Sequence, residues 1–155
     1  MKLNDHRKIF NFIIYRFSQE LSKKLMSGAK WISSMSIHPG GDNLLLGTFD
    51  KKVQWFDLDL SSMPYQTLRY HTNAVRTVEY HKRYPLFASA GDDRNITVSH
   101  GMVYSDLLQN PLIVPVKKLQ GHTTYDDFGV MSLQWHPFQP WLLSAGADSY
   151  IKLWT

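Results

Sequence analysis

The chain has 155 residues, 43% hydrophobic and 19% charged, which allows one packed domain and excludes a disordered tail. It contains no cysteine, so a disulfide framework, a thiolate zinc site and a cysteine nucleophile are excluded together. The net charge of +4 is local: residues 1–30 carry Lys2, Arg7, Lys8, Arg16, Lys23, Lys24 and Lys30 against Asp5 and Glu20, and the rest is close to neutral, which weakens a global argument for nucleic-acid binding.

Near the start, Phe12-Ile13-Ile14-Tyr15 is far shorter than the ~20 apolar residues of a membrane span, and it lacks the long apolar core of a signal peptide. An intracellular, soluble chain without membrane contact is expected. Phe10–Arg16 and Leu21–Leu25 read as tail strands of a preceding unit, giving residues 1–27 as its remnant.

From there a repeat governs the chain. Met35-Ser36-Ile37-His38, Val78-Glu79-Tyr80-His81 and Leu133-Gln134-Trp135-His136 align. An aspartate stands 12 residues after each histidine (Asp50, Asp93, Asp148), while the repeat period is 43 and then 55. A β-branched residue follows each aspartate at the third position: Val53, Ile96 and Ile151. The extra length therefore lies outside the repeated block.

One copy reads as strands throughout. Val130–Trp135 ends at His136-Pro137, Trp141–Ala145 is a mostly apolar second strand, and Ala147-Asp148-Ser149 is a tight turn whose side chains can bond their own backbone. Ile151–Trp154 alternates as a third strand, and Gln66–Leu68 and Leu112–Val116 are fourth strands between copies. Pro115 places the latter at a sheet edge, because proline donates no ladder hydrogen bond. Four short strands per repeat, the last at an edge, make a propeller blade.

The pattern resembles WD repeats, which carry a Gly-His before the first strand, an Asp in the turn between the second and third, and a Trp-Asp at the end of the third. On that resemblance the last copy supplies a buried hydrogen-bonded tetrad of His122, Ser144, Asp148 and Trp154, following Gly121. The middle copy has His71, Ser89 and Asp93, with Ser99-His100 in place of Trp-Asp. The first has Gly28-Ala29, Leu46, Asp50 and Phe56-Asp57. The fold class is all-β: an incomplete WD40-type propeller of about three blades, preceded by strands of another. Its repeats run over residues 28–68, 69–119 (with an insertion at 101–116) and 120–155.

The same residues could be read as a hydrolase triad of His122, Ser144 and Asp148. A nucleophilic serine must be exposed beside an oxyanion hole, and a catalytic set is not duplicated in register with a fold repeat, so the trio is expected to be structural and the chain non-enzymatic. His38, His81 and His136 fall in different blades and read as turn residues, with no HExxH or His-x-His pair. Pro39-Gly40-Gly41-Asp42 is a β-turn without the Lys-Ser/Thr of a phosphate loop. No cofactor or metal is expected.

Candidate partner or RNA contacts are Lys51, Lys52, Arg69, Arg76, Lys82, Arg83 and Arg94, turn-borne and near Tyr70, Tyr80 and Tyr84. Asp42, Asp50, Asp92 and Asp93 favour a solvated rim instead. In the insertion, Ser105 or Asp106 can cap a helical turn through Leu107-Leu108-Gln109 before Pro111, adding Tyr104, Leu107 and Leu108 as partner contacts.

Several stretches resemble the block-of-proliferation family of eukaryotic ribosome biogenesis proteins: Trp55–Leu60, Leu68–His71, Tyr84–Ser89, His100–Pro111, Ile113–Leu119 and Ser144–Asp148. The insertion is the most specific of them. The resemblance implies a non-catalytic scaffold of the nucleolus and nucleoplasm that supports maturation of large-subunit (28S/5.8S-type) pre-rRNA. It also implies a second WD-repeat protein and pre-ribosomal particles with pre-rRNA as partners. Family members engage a pescadillo-type protein through a long N-terminal region that has no counterpart in these residues, so pescadillo binding is not expected here. A general WD-repeat adaptor of another pathway explains the repeats but not residues 101–111. Blades with open faces and unpaired edges lead to the expectation that the isolated chain is part of a longer propeller and self-associates.

Overall fold

A computed structural model describes residues 21–104 and 109–155. Among them every regular element is a strand, and all pairings are antiparallel. The first sheet has the order β1 (Ile32–Ile37), β2 (Asn43–Thr48), β3 (Val53–Asp57), β4 (Gln66–Leu68). The second has β5 (Val75–Tyr80), β6 (Leu86–Gly91), β7 (Asn95–Met102), β8 (Leu112–Gln120), and the third β9 (Val130–Trp135), β10 (Leu142–Gly146), β11 (Ile151–Trp154). Each sheet is a blade of simple meander order, and β1, β5 and β9 are the inner strands that touch from blade to blade. The structure is an incomplete propeller.

The sequence repeat is a structural repeat down to its irregularities. Each inner strand carries a bulge at the same place, at Ser33, Arg76 and Met131, five residues before the conserved-register histidine. Each second turn puts the residue after the aspartate in the left-handed region: Lys51 at φ 69°, Arg94 at 65° and Ser149 at 66°. Pro115 lies in β8, the outer edge strand of blade 2, as a residue without an N–H requires.

The core lies between blades rather than within them. Leu45, Val53, Trp55 and Leu68 of blade 1 pack on Val75, Val78, Tyr80, Phe87 and Ile113 of blade 2. Trp55 meets Tyr80 and Phe87 edge to face, with ring centroids 5.3 and 5.7 Å apart. Its buried indole N–H donates to Asn43 Oδ1 at 2.8 Å. The next interface repeats the positions, with Ala88 and Val98 in place of Leu45 and Trp55 and Leu133 and Trp135 in place of Val78 and Tyr80: Ala88, Ala90, Ile96, Val98 and Leu119 pack against Val130, Leu133, Trp135 and Leu142.

Residues 21–29 form no strand, which corrects the expectation of a tail strand over Leu21–Leu25; Phe10–Arg16 lies outside the described residues. The segment instead lays Leu25 over Leu44, Leu46 and Phe56 on the outer part of blade 1. Met26 N–H donates to Ser62 O at 2.8 Å, and Gln54 Nε2 donates to Ser27 O at 2.7 Å. With one apolar side chain every few positions, Leu21-Ser22-Lys23-Lys24-Leu25 lacks the alternation that would hold a strand in a ladder.

Candidate functional site

The three histidines that end the inner strands serve the turns that follow. His38 Nδ1 accepts the Gly40 N–H at 3.0 Å, His81 Nδ1 those of Arg83 and Tyr84 at 2.9 and 3.0 Å, and His136 Nδ1 those of Phe138 and Gln139 at 3.2 and 3.0 Å. With Nδ1 accepting, Nε2 carries the proton; in the fully buried His81 it donates to Gln139 O of the next blade at 2.9 Å. The Pro39–Asp42 segment is a turn closed by Gly41 N–H to His38 O at 2.8 Å.

The His-Ser-Asp constellation forms in two blades with nearly identical geometry. In blade 3, His122 Nδ1 lies 2.9 and 3.0 Å from the two Asp148 oxygens, and Nε2 lies 2.8 Å from Ser144 Oγ. Trp154 Nε1 donates to the same Ser144 oxygen at 2.8 Å. The only consistent proton order runs Trp154 N–H to Ser144, Ser144 O–H to His122 Nε2, and His122 Nδ1–H to Asp148. In blade 2, His71 Nδ1 lies 3.0 and 3.1 Å from Asp93 and Nε2 2.8 Å from Ser89 Oγ. There Ser99 occupies the position of Trp154 and does not bond Ser89, so the tetrad is a triad.

Both aspartates are held at about 2. Desolvation pushes each carboxyl up. The histidine hydrogen bond outweighs it, together with the Thr72 N–H and Asn95 at Asp93, and the Thr123 and Tyr150 N–H groups at Asp148. Ser144 and Ser89 are 1% and 0% exposed, so neither hydroxyl can meet a substrate. The serine that would be the nucleophile spends its proton on histidine and its lone pair on tryptophan. The arrangement is a structural pin between the loop before the inner strand and the turn after β6 or β10.

Blade 1 replaces the histidine, serine and tryptophan together and keeps the aspartate. Leu46 stands for the serine and Phe56 for the tryptophan, both buried with Leu44, and Ala29 holds the histidine register. Exchanging the histidine, serine and tryptophan together strands none of their donors, whereas losing one of them would; Asp50 is left with a buried Oδ1 that has no partner among the described residues. A further exchange matches it. A Cβ on Gly146 would lie 2.3 Å from His122 Nδ1, so the imidazole requires glycine there; Gly91 holds the same register in blade 2, and blade 1, without the histidine, has a fully buried Thr48. Asp50, left without histidine, pairs with Lys52, and hydrogen bonds from Lys52 and Thr48 lower its carboxyl.

The basic candidates do not gather on one surface. Lys51, Lys52, Arg69, Arg76 and Arg94 lie at the end of the blades where inner strands begin; Lys82, Arg83 and Tyr104 lie at the opposite end. Lys51, Arg69 and Arg94 are exposed, and Lys52 is half-buried against Asp50. Arg76 departs from the expectation of a solvent-facing contact: its guanidinium bonds Asp92 and lies between the Phe49 and Phe128 rings, 4.7 and 4.8 Å from their centroids. Tyr104 is half-buried, and Leu107 and Leu108 lie outside the described residues.

At the Lys82–Arg83 end the structure adds an aromatic cluster. Arg83 sits 4.5 Å over the exposed Phe138 ring, and His136 packs on Phe138 and Trp141, with Tyr84 also open to solvent. Two turns from different blades, 81–85 and 136–141, meet there. Their 55-residue separation hides the cluster from a linear reading, although the repeat register could have paired them.

The WD40 family (WD domain, G-beta repeat) matches residues 62–98 and 113–155. Proteins named ribosome biogenesis protein BOP1 homolog from Drosophila sechellia, Drosophila yakuba and Drosophila melanogaster are each 67% identical over 137 residues, 88% of this chain. The chain spans 18% of the length of those relatives. With the tetrads and blade register in place, the chain belongs to the WD-repeat family, and within it is similar to the proteins named ribosome biogenesis protein BOP1 homolog.

Proposed function

We propose that this chain is a non-catalytic WD-repeat scaffold in ribosome biogenesis, supporting assembly of large-subunit precursors and processing of their rRNA. The observation that carries the reading is 67% identity over 88% of the chain to proteins named for ribosome biogenesis. The buried Ser144 and Ser89 support the absence of catalysis: both hydroxyls are consumed by internal hydrogen bonds. Partners in this reading are a second WD-repeat protein and pre-ribosomal particles with pre-rRNA, met in the nucleolus and nucleoplasm. The aromatic and basic end formed by Lys82, Arg83, Tyr84, Phe138 and Trp141 offers the contact surface. Pescadillo binding is not assigned to these residues.

The test is a pull-down of the tagged endogenous protein, reading bait mass, co-purifying proteins and RNA together. Large-subunit precursor RNA with other assembly proteins is expected. Recovery of unrelated proteins without precursor RNA would move the chain to the second reading, a WD-repeat adaptor of another pathway. Steep loss of binding with added salt would assign the RNA contact to phosphates.

A further inference from the structure

Two turns meet where blades 2 and 3 join, residues 81–85 after β5 and 136–140 after β9, and hydrogen bonds cross the junction beneath them. His81 Nε2 donates to Gln139 O at 2.9 Å, and Trp135 Nε1 donates to Glu79 O at 3.1 Å. Each turn is stiff. Its histidine accepts two backbone N–H groups, and Pro85, Pro137 and Pro140 fix three φ angles. Outside them stand Lys82, Arg83, Tyr84 and Phe138, all exposed, with the Arg83 guanidinium 4.5 Å from the Phe138 centroid. The two turns hold two cations and no carboxylate, and among the described residues neither Lys82 nor Arg83 forms an ion pair. At the opposite end Lys52 and Arg76 each have an aspartate. Glu79, the one carboxyl of β5, is half-buried and accepts a hydrogen bond from Gln134 Nε2 at 2.8 Å.

We infer that this surface docks an acidic segment of a protein, whose carboxylates meet Lys82 and Arg83 while an apolar side chain beside them lies against Phe138 and Tyr84. The inference rests on the scaffold reading above and names the kind of partner that its contact surface takes. Charge sets the sign of the partner: two unpaired cations beside exposed rings attract an anion, and excluding water at the rings strengthens the pairs. Magnitude then separates protein from RNA, which carries the same sign. Each phosphate contact to a single strand contributes about −0.7 to the salt slope, so two cations give about −1.4, far short of a site with about 6–10 such contacts. One face of Phe138, on which a base would stack, is already taken by Arg83. Aromatic side chains and arginine are instead the anchors that dominate protein interfaces, and the stiffness of both turns keeps the ordering cost of docking low.

The experiment is zero-length carbodiimide cross-linking, which joins a lysine amine to a carboxylate in direct contact, on the tagged endogenous protein in its assemblies, read by peptide mass spectrometry. The variants are Arg83→Glu and Phe138→Ala, with Lys118→Glu on β8 as the control. All three side chains are exposed, so the variants are expected to fold, checked by limited proteolysis. Lys82 is expected to join an aspartate or glutamate of one protein. The yield is expected to fall about tenfold in Arg83→Glu and in Phe138→Ala, the effect of losing one interface anchor, to hold in Lys118→Glu and to survive ribonuclease. Absence of a Lys82 cross-link, while precursor RNA and assembly proteins are recovered, overturns the inference and leaves the scaffold reading standing. Recovery of unrelated proteins without precursor RNA overturns that reading instead, and the Lys82 cross-link still decides on the acidic partner. A cross-link that reaches only Glu79 of the same chain, or one unchanged by Arg83→Glu, shows chance proximity and overturns the inference. Ultraviolet cross-links from Tyr84 or Phe138 to RNA in place of the Lys82 adduct assign the surface to RNA and also overturn it.

Discussion

Arg76 donates two hydrogen bonds to a single oxygen of Asp92, Nε at 2.8 Å and Nη2 at 2.6 Å to Oδ2. The other Asp92 oxygen accepts the Gly129 N–H at 3.1 Å, and the guanidinium is flanked by Phe49 and Phe128. Phe49 belongs to blade 1, Arg76 and Asp92 to blade 2, and Gly129 and Phe128 to the entry of blade 3. One ion pair therefore ties three blades together. It sits at the bulge of β5, which turns the side chain out of strand alternation and aims it across the sheet end.

Arg76→Ala should accordingly act on stability. Asp92 is 5% accessible in its side chain and would keep a charge without its partner, and both phenyl rings would lose their cation. A loss of about 2–3 kcal/mol is expected, below the 3–5 of fully buried pairs because the Arg76 side chain retains 18% accessibility. Urea unfolding measures it. If Arg76 instead served RNA, the substitution would weaken RNA binding at unchanged midpoint.

Asp148→Ala should cost more than an ordinary surface change for a different reason. It strands the His122 Nδ1–H in a site where His122 is 5% exposed, while the exposed Thr123 N–H can turn to water. An unsatisfied buried donor costs about 1–3 kcal/mol, and a drop of about that size is expected. Gly146→Ala should reach a similar loss without removing any polar group, since its Cβ would displace the imidazole. Thermal melts of both variants, with no change in any background hydrolysis, check the structural role. A turnover abolished by Asp148→Ala in a protein that still melts at the wild-type temperature would contradict it.

These residues also mark how far the sequence could be read. The tetrads were legible because Ser89 and Ser144 stand four residues before the aspartates that follow the strand-ending histidines at a fixed interval, and the strands because apolar residues alternate between turn signals. The Arg76 pairing was not legible. It depends on a bulge, which leaves no local signature, and Arg beside a turn looks the same whether it faces solvent or a buried aspartate. The cap formed by Leu25 was equally hidden, because an irregular segment is positioned by the face it covers and not by its own periodicity. Phe138 and Trp141 read as turn and strand residues, and only the meeting of two blades makes them one surface with Arg83.

The pH dependence of stability should have two limbs. Asp93 and Asp148, held at about 2, favour the folded state fully above the ordinary carboxylate value, and this contribution is lost as pH falls through about 2. Glu79 behaves in the opposite sense. Desolvation at the β5–β9 contact pushes it up to about 7, against the Trp135 hydrogen bond and the Lys82 charge, while Gln134 Nε2 donates to its Oε1 at 2.8 Å. The folded state then holds a proton that the unfolded chain has released, so the Glu79 contribution is present at low pH and is lost as pH rises through about 7. Stability should be highest between the two limbs, near pH 5. Glu79→Gln keeps the neutral shape, so it should leave stability at pH 5 nearly unchanged, raise it at pH 8 and flatten the upper limb. Unfolding free energies from pH 2 to 9 decide this; an upper limb that persists in Glu79→Gln assigns it to another group.

The left-handed turn residues supply a prediction of gain. Lys51, Arg94 and Ser149 each follow the turn aspartate at φ between 65° and 69°, a conformation that costs an L-residue about 1–2 kcal/mol relative to the right-handed region. Glycine adopts it without a Cβ clash but loses more freedom on folding, by roughly 0.5–1 kcal/mol. The difference favours glycine wherever the side chain contributes nothing else. Ser149 meets that condition best: it is exposed, and it bonds through its backbone N–H to Gly146 O at 3.2 Å. Ser149→Gly should therefore stabilise the protein by about 0.5–1 kcal/mol, and Ser149→Val, with a β-branched side chain in the same conformation, should destabilise it. Lys51→Gly should gain in the same way, since Lys51 is exposed and it is Lys52 that pairs with Asp50. Melting temperatures of the three variants give the order Ser149→Gly above wild type above Ser149→Val, and a glycine variant that melts below wild type would show that the serine side chain holds the turn itself.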